Sequence, residues 1–336
     1  MTFTTLALML GYRCNAKCRC CLWGDAHNQG PSLDVEQACS WIDQACALAD
    51  LKLIGFSGGE SFLYAREIAA LATYARQKYG LVAAASTNSY WAHSQDRAVE
   101  KLRPLYDAGL RQLLLSVDDF HQEFIPLERV GNALRAAKQL GIQCTLQSIV
   151  TKSSRKISDF LSELNVQEGE GIQATEVFCT RIGWAATKVP DSEFPAQPNA
   201  LSSYCSMLQP LVIGPDGAVY LCCGAAFATP ALNLGNLTRE PLKDILERAE
   251  WNPIMNALSL GNGPAYLADC LRKSGQGDLL RTGYSSSCEA CCHILSTPGV
   301  TNFLEAKLEP QRAELFLKRI VLSQERSEHL LEVLQI

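Results

Sequence analysis

The chain has 336 residues, 47% of them apolar, more than a single core usually holds, so two domains are expected. Thirty basic residues against 35 acidic give a net charge of −5 with no Lys/Arg block, which argues against nucleic acid as a partner. Charged residues are only 19% and no apolar run reaches about 18 residues, so neither a disordered chain nor a membrane span is expected. The segment Met1 to Gly11 is apolar but lacks a basic start and a small-residue cleavage site, and it reads as a strand rather than a signal peptide.

From residue 4 to about 180, short apolar runs alternate with longer amphipathic segments. Strands are predicted at Thr5–Leu10, Lys52–Phe56, Val82–Thr87, Gln112–Val117, Cys144–Val150 and Glu176–Cys179, with helices near 34–49, 65–79, 95–107, 125–140 and 155–165. Gly109 and Gly141 follow two of those helices, where left-handed caps are usual. From the second strand on, the units recur about every 30 residues, the repeat of a parallel sheet with crossover helices. Six units are too few for an eight-fold barrel, so the expected fold is α/β, a partial (β/α)6 TIM-like barrel left open.

The polar stretch Val189–Asn199, with Pro190, Pro195 and Pro198, predicts a boundary: a barrel over 1–190, a smaller α+β domain over 191–300 and packing helices over 301–336. In the second part, Leu211–Gly214 and Ala218–Cys222 around Pro215-Asp216-Gly217 read as a hairpin. A Leu-rich helix is predicted near 240–250. The Gly- and Ser-rich region 261–287 is expected to loop back and bring Cys288 near Cys222. Beyond Asn302, apolar residues recur at helical spacing, interrupted at Pro310.

The cysteine count is 15, odd and clustered, in a chain too long to need disulfides. Cys14, Cys18, Cys20 and Cys21 share one stretch, Cys222 and Cys223 are adjacent, Cys288, Cys291 and Cys292 crowd together, and Cys205 stands upstream. Neighbouring cysteines cannot easily bridge one another; they suit thiolate ligation in a reducing cytoplasm. Cys39, Cys46, Cys144, Cys179 and Cys270 are scattered and read as mostly buried filler.

Cys14-x3-Cys18-x2-Cys21 follows the first strand directly, at the mouth where barrel active sites form. Three thiolates from one loop can hold three irons of a cubane and leave the fourth open, whereas a zinc knuckle would supply four ligands in two pairs. After the second strand comes Ser57-Gly58-Gly59-Glu60: paired glycines allow close backbone approach, and Glu60 can accept from an ammonium group. Together these motifs resemble the radical S-adenosylmethionine (SAM) superfamily. The resemblance implies a [4Fe–4S] cluster on Cys14, Cys18 and Cys21, whose open iron is chelated by SAM, with Gly58, Gly59 and Glu60 at the SAM amino group. Ser86 and Asn88 after strand three, and Ser116 and Asp118 after strand four, resemble the family's ribose and carboxylate contacts. Arg181-Ile182-Gly183-Trp184-Ala185 resembles the segment flanking the adenine. Cys20 stands where the family commonly has an aromatic residue, so Cys20 in place of Cys21 as ligand stays open. Arg13, Lys17 and Arg19 make the loop locally basic, which suits either a solvated loop or docking of an acidic flavodoxin- or ferredoxin-type electron donor.

Cys205-x11-Gly217-x4-Cys222 and Cys288-x2-Cys291 resemble the ends of the auxiliary-cluster domains appended to many such enzymes, called SPASM with two clusters and twitch with one. No cysteine follows Cys292, so the resemblance implies one auxiliary [4Fe–4S] cluster on Cys205, Cys222, Cys288 and Cys291, with a four-cysteine zinc site as the alternative. Cys223 is spare; it reads as an inert neighbour, an alternate ligand or, as the sharper hypothesis, a thiol donating a hydrogen atom to a substrate radical. The implied reaction is reductive SAM cleavage and hydrogen abstraction from a ribosomally made peptide, giving a cross-link, oxidation or epimerisation. The alternatives are an aminosugar, aminocyclitol or nucleoside metabolite as substrate, and a non-enzymatic zinc-binding module. Such a module would explain the cysteine patches but not Gly58-Gly59-Glu60 after the second strand.

Overall fold

A computed structural model describes residues 3–169, 171–201, 210–222, 224–260 and 263–321. The first half alternates strand and helix: β1 (Thr5–Met9), α1 (Val35–Leu48), β2 (Leu53–Ser57), α2 (Ala65–Tyr79), β3 (Val82–Thr87), α3 (Gln95–Ala108), β4 (Leu110–Ser116), a short α4 (Asp119–Gln122), α5 (Leu127–Leu140), β5 (Gln143–Val150), α6 (Ile157–Leu164) and β6 (Ile172–Phe178). Local signals set most of these bounds. Asp34 and Ser94 cap α1 and α3 by accepting from the Gln37 and Arg97 amides, and Gly141 ends α5 in the left-handed region. Gly109 ends α3 at the wider φ of +124°.

Strands β1 to β6 pair in parallel and in chain order, so the sheet is an open partial barrel. Its helix-facing residues, among them Leu8, Ile54, Phe56, Ala85, Leu115 and Leu146, share one buried core with Ile42, Leu71, Leu102 and Val130 of the helices. Leu102 lies on α3, which packs against both α2 and α5. Leu102→Ala is expected to destabilise the chain by about 2–5 kcal/mol, read from urea unfolding. β6 begins at Ile172, four residues before the strand predicted from Glu176. It is the sheet's edge, its residues half-buried or exposed with Val177 and Phe178 open to solvent, so no two-residue alternation marks its start.

The predicted hairpin forms as β7 (Pro210–Ile213) and β8 (Ala218–Tyr220), followed by β9 (Asn233–Asn236). Gly217, at φ +82°, closes the turn with its amide on Gly214 O at 3.0 Å. β7 pairs in parallel with β1, Leu6 opposite Leu211, so the hairpin extends the barrel sheet on the side away from β2 into one nine-stranded sheet. The remaining helices are α7 (Ala185–Lys188), between β6 and β7, and then α8 (Leu242–Glu250), α9 (Pro253–Ser259), α10 (Ala265–Lys273), α11 (Ser287–Ser296) and α12 (Val300–Leu308). The region 261–287, read as a loop, thus contains α10. α8 packs on α1, where Leu242 N donates to Gln44 Oε1 at 2.9 Å, and the main buried core takes in residues of both halves, from Phe3 to Leu315. Among the described residues, no helix is long and apolar enough to cross a membrane.

Candidate active site

Two loops at the C-terminal ends of β1 and β2 are zipped together by backbone. Leu10 N donates to Ser57 O at 2.9 Å, Gly59 N to Gly11 O at 2.9 Å, and Glu60 N to Arg13 O at 2.8 Å. A Cβ at Gly58 would fall 2.6 Å from Gly11 O, and one at Gly59 would fall 2.3 Å from Arg13 O. The paired glycines therefore admit the backbone of the cysteine loop itself. Further ties position that loop: Cys14 N donates to Asn28 Oδ1 at 2.7 Å, and the His27 Nε2–H donates to Ala16 O at 2.6 Å. Asn88 Nδ2 donates to Oδ1 of Asn15 at 3.1 Å.

Cys14, Cys18 and Cys21 lie close enough to act on one another. Burial pushes Cys14 up to about 11, with Glu60 and Cys21 adding to the rise. Cys18 is raised further, by burial first, then Asp118, Cys14 and Cys21. Crowded thiols that resist ionisation alone are stabilised as thiolates once a multivalent metal group supplies the positive charge, so this donor set fits an iron–sulfur cluster. Cys21 is half-buried and its carbonyl accepts from Trp184 N at 2.9 Å. Cys20 is buried with Cys18, Phe120, Cys179 and Phe194 in one cluster, and its thiol lies within 4.8 Å of the side-chain ligand atoms of Asp118 and His121.

Glu60 is 1% exposed, and its carboxylate accepts from Phe62 N at 3.0 Å, Thr87 Oγ1 at 2.6 Å and Asn88 N at 2.8 Å. Burial raises its pKa against those bonds. It thereby locks the end of β3 to the loop after β2. Ser86 Oγ donates to Ser57 Oγ at 3.0 Å, and Ser116 is half-buried at the end of β4. Asp118 caps α4, accepting from His121 N at 2.9 Å and from His121 Nδ1 at 2.9 and 2.8 Å, while Ile149 N donates to it at 3.2 Å. The structure thus gathers the residues predicted after β1 to β4 at one end of the sheet. His121, His27, Asn15 and Asn28 were not foreseen; only the cap spacing Asp118-x2-His121 left a trace of one of them in the sequence.

Burial pushes the His121 pKa down, but the Asp118 charge and hydrogen bond, with Glu60 behind them, outweigh it and leave it above its ordinary value. The pair therefore stabilises the fold fully below the unfolded pKa of histidine, and that contribution is lost as pH rises through the raised folded pKa. Asp118→Asn is expected to lower the His121 pKa, followed by the NMR shift of its ring proton across pH 5 to 9. Of the basic residues on the loop, Arg19 is held by Glu123, with Nε at 3.0 Å from Oε1.

In the second patch, Ser286 caps α11 by accepting from Glu289 N at 3.1 Å. Cys288, Cys291 and Cys292 stand at i, i+3 and i+4, one face of the helix. α11 packs on the turn at Gly224–Ala228, which begins two residues after buried Cys222. A helix face carrying three thiols has the donor chemistry of a cluster site. Cys205 and Cys223 lie outside the described residues. Between the two patches a cavity of about 270 Å³ is walled by Tyr12, Trp23, Trp184, Tyr220 and Phe227.

Residues 8–153 match the Radical SAM superfamily, and residues 205–292 match SPASM, an iron–sulfur cluster-binding domain. YydG of Bacillus subtilis (strain 168), a protein named for peptide biosynthesis, is 21% identical over 321 residues, covering 93% of this chain and 98% of its own. Among solved structures, Streptococcus suis SuiB bound to the precursor peptide SuiA superposes with a TM-score of 0.58 at 12% identity, covering 81% of this chain and 73% of that one. BtrN in complex with AdoMet and 2-DOIA superposes at 0.51 with 11% identity, covering 80% and 90%.

Proposed function

From the premise that this chain joins a radical SAM domain to a SPASM iron–sulfur domain, with the [4Fe–4S] cluster, SAM and auxiliary iron–sulfur these imply, we propose that it modifies a ribosomally made peptide. The observation that carries this reading is the near end-to-end alignment with YydG, which spans both domains. When bound, the first cluster and SAM supply a 5′-deoxyadenosyl radical that abstracts a substrate hydrogen.

The protein's share is positioning and the exclusion of water. Cys14, Cys18 and Cys21 hold the cluster on a loop braced by Asn28, His27 and the Gly58-Gly59 backbone. Gly58, Gly59 and Glu60 are assigned to the SAM amino group. Glu60 also orders that backbone, with Oε1 accepting from Phe62 N and Thr87 Oγ1 and Oε2 from Asn88 N. Ser86, Asn88, Ser116 and Asp118 are assigned to the ribose and carboxylate side. Cys205, Cys222, Cys288 and Cys291 are assigned to one auxiliary cluster. Cys223 is assigned as the hydrogen-atom donor: its S–H breaks, the substrate carbon gains the hydrogen, and the thiyl radical left behind takes one electron from the electron donor and one proton from solvent to restore the thiol. That outcome is epimerisation. Incubation with a candidate precursor peptide in D2O tests it: one deuterium at one carbon is expected, abolished in Cys223→Ala. A product lighter by two mass units would replace epimerisation with oxidation or cross-linking, and no peptide product would overturn the substrate class.

A further inference from the structure

The segment after β6 touches both cysteine sites. A Cβ at Gly183 would fall 2.3 Å from Leu22 O and 2.5 Å from Cys21 O, and Trp184 N donates to Cys21 O at 2.9 Å, so this stretch lies flat on the last cysteine of the first patch. Arg181, on the same stretch, reaches the other way. Its Nη1 donates to Glu289 Oε1 at 2.7 Å, while its guanidinium stacks on Phe194 at 4.1 Å. Glu289 sits on α11 between Cys288 and Cys291 and is 1% exposed. Arg281 Nη1 donates to the same oxygen at 2.7 Å, and the Ser285 amide and hydroxyl both donate to Oε2 at 2.7 Å. Ser285 Oγ also lies 2.9 Å from Cys179 O, just past the end of β6, and Thr180 Oγ1 lies 3.1 Å from Oγ of the cap Ser286.

A buried carboxylate between two arginines is expensive to desolvate, and the mechanism above does not use it. We propose that Glu289 is a positioning residue that joins α11 to the first cysteine loop through Arg181 and sets the charge environment of the second cysteine site. The proposal rests on the reading that Cys288 and Cys291 hold an iron–sulfur cluster. Charges and hydrogen bonds beside such a cluster tune its potential. Removing the carboxylate charge leaves Arg281 without its partner and Arg181 with only the exposed Asp191, 3.0 Å from its Nε, so the added positive charge favours the more negative, reduced cluster; removing Arg281 does the reverse. A residue that only holds the fold together predicts no such opposition of sign.

The test is a redox titration, followed by low-temperature EPR, of the anaerobically reconstituted full chain as wild type, Glu289→Gln, Arg281→Met and Cys288→Ser, with iron counted in each. Cys288→Ser identifies the auxiliary signal by removing it. For that signal, Glu289→Gln is expected to raise the reduced-to-oxidised ratio about tenfold at fixed potential, a positive shift of about 59 mV for one electron. Arg281→Met is expected to shift it negative. Arg281 is partly exposed, so this variant keeps the test open if Glu289→Gln does not fold. If Cys288→Ser leaves iron and EPR unchanged, the cluster assignment fails and the proposal with it. If Cys288→Ser removes the signal but both other variants leave its potential in place, or move it in the same direction, the proposal alone is overturned.

Discussion

Cys14→Ala is expected to reduce 5′-deoxyadenosine formation to background and to lower iron from about eight to about four per chain, the difference of one four-iron cluster. With Cys14, Cys18 and Cys21 as the proposed ligands, losing one leaves two irons of the site without protein thiolates. The Cys14 amide is pinned by Asn28 Oδ1, which fixes this residue's place on the loop. The assay is anaerobic, with SAM, a strong reductant and chromatographic detection of 5′-deoxyadenosine. Wild type and variant giving equal product and equal iron would overturn the assignment of the first site. Cys18→Ala and Cys21→Ala are expected to behave alike; full activity in Cys21→Ala would instead make Cys20 the ligand.

Gly59→Ala is expected to disable the same site without removing any ligand. The new Cβ would fall 2.3 Å from Arg13 O and 2.7 Å from Tyr12 O. Both are backbone atoms in a loop that is itself bonded to this strand end, by Glu60 N on Arg13 O, so neither can step aside alone. Overpacking of this kind costs about 1–3 kcal/mol or more, and here it pushes the cysteine loop off its zipper. Lower iron incorporation and a reduced urea midpoint are the expected readings. Gly55→Ala, on β2, is the control: its Cβ would meet only ordinary contacts, at 3.9 Å from Leu6 O and 4.0 Å from Ala7. That variant is expected to be neutral or slightly stabilising, because alanine has less backbone freedom to lose. Equal behaviour of the two variants would remove the close approach as the reason for the glycine pair.

The barrel half was legible because its signals are local. Apolar periodicity, the caps at Asp34 and Ser94 and the stop at Gly141 each act over a few residues, and the strands and helices fall within about four residues of where those signals place them. β6 was blurred because an edge strand buries neither face fully. The motif after β2 was legible as paired glycines, but not what they approach: the sequence offered a small molecule, while the nearest partner is the backbone of residues 11–13. His121 was hidden because a lone histidine on a four-residue helix shows no period. Cys20 was visible as a departure from the family pattern, and its place among Phe120, Cys179 and Phe194 was not.

By itself, then, the sequence determined the α/β repeat, the two cysteine patches and the chemistry their spacing permits, since each depends on residues close together in the chain. Tertiary structure alone decided how those pieces meet. β7 pairs with β1 across some 200 residues, Asn88 reaches Asn15, and Arg181 reaches Glu289. Such contacts have no period and no fixed spacing; they follow from burial, which brings a polar group to whatever partner the folded chain leaves within hydrogen-bond reach. The cysteines name the chemistry, and the long-range bonds around them set where it can take place.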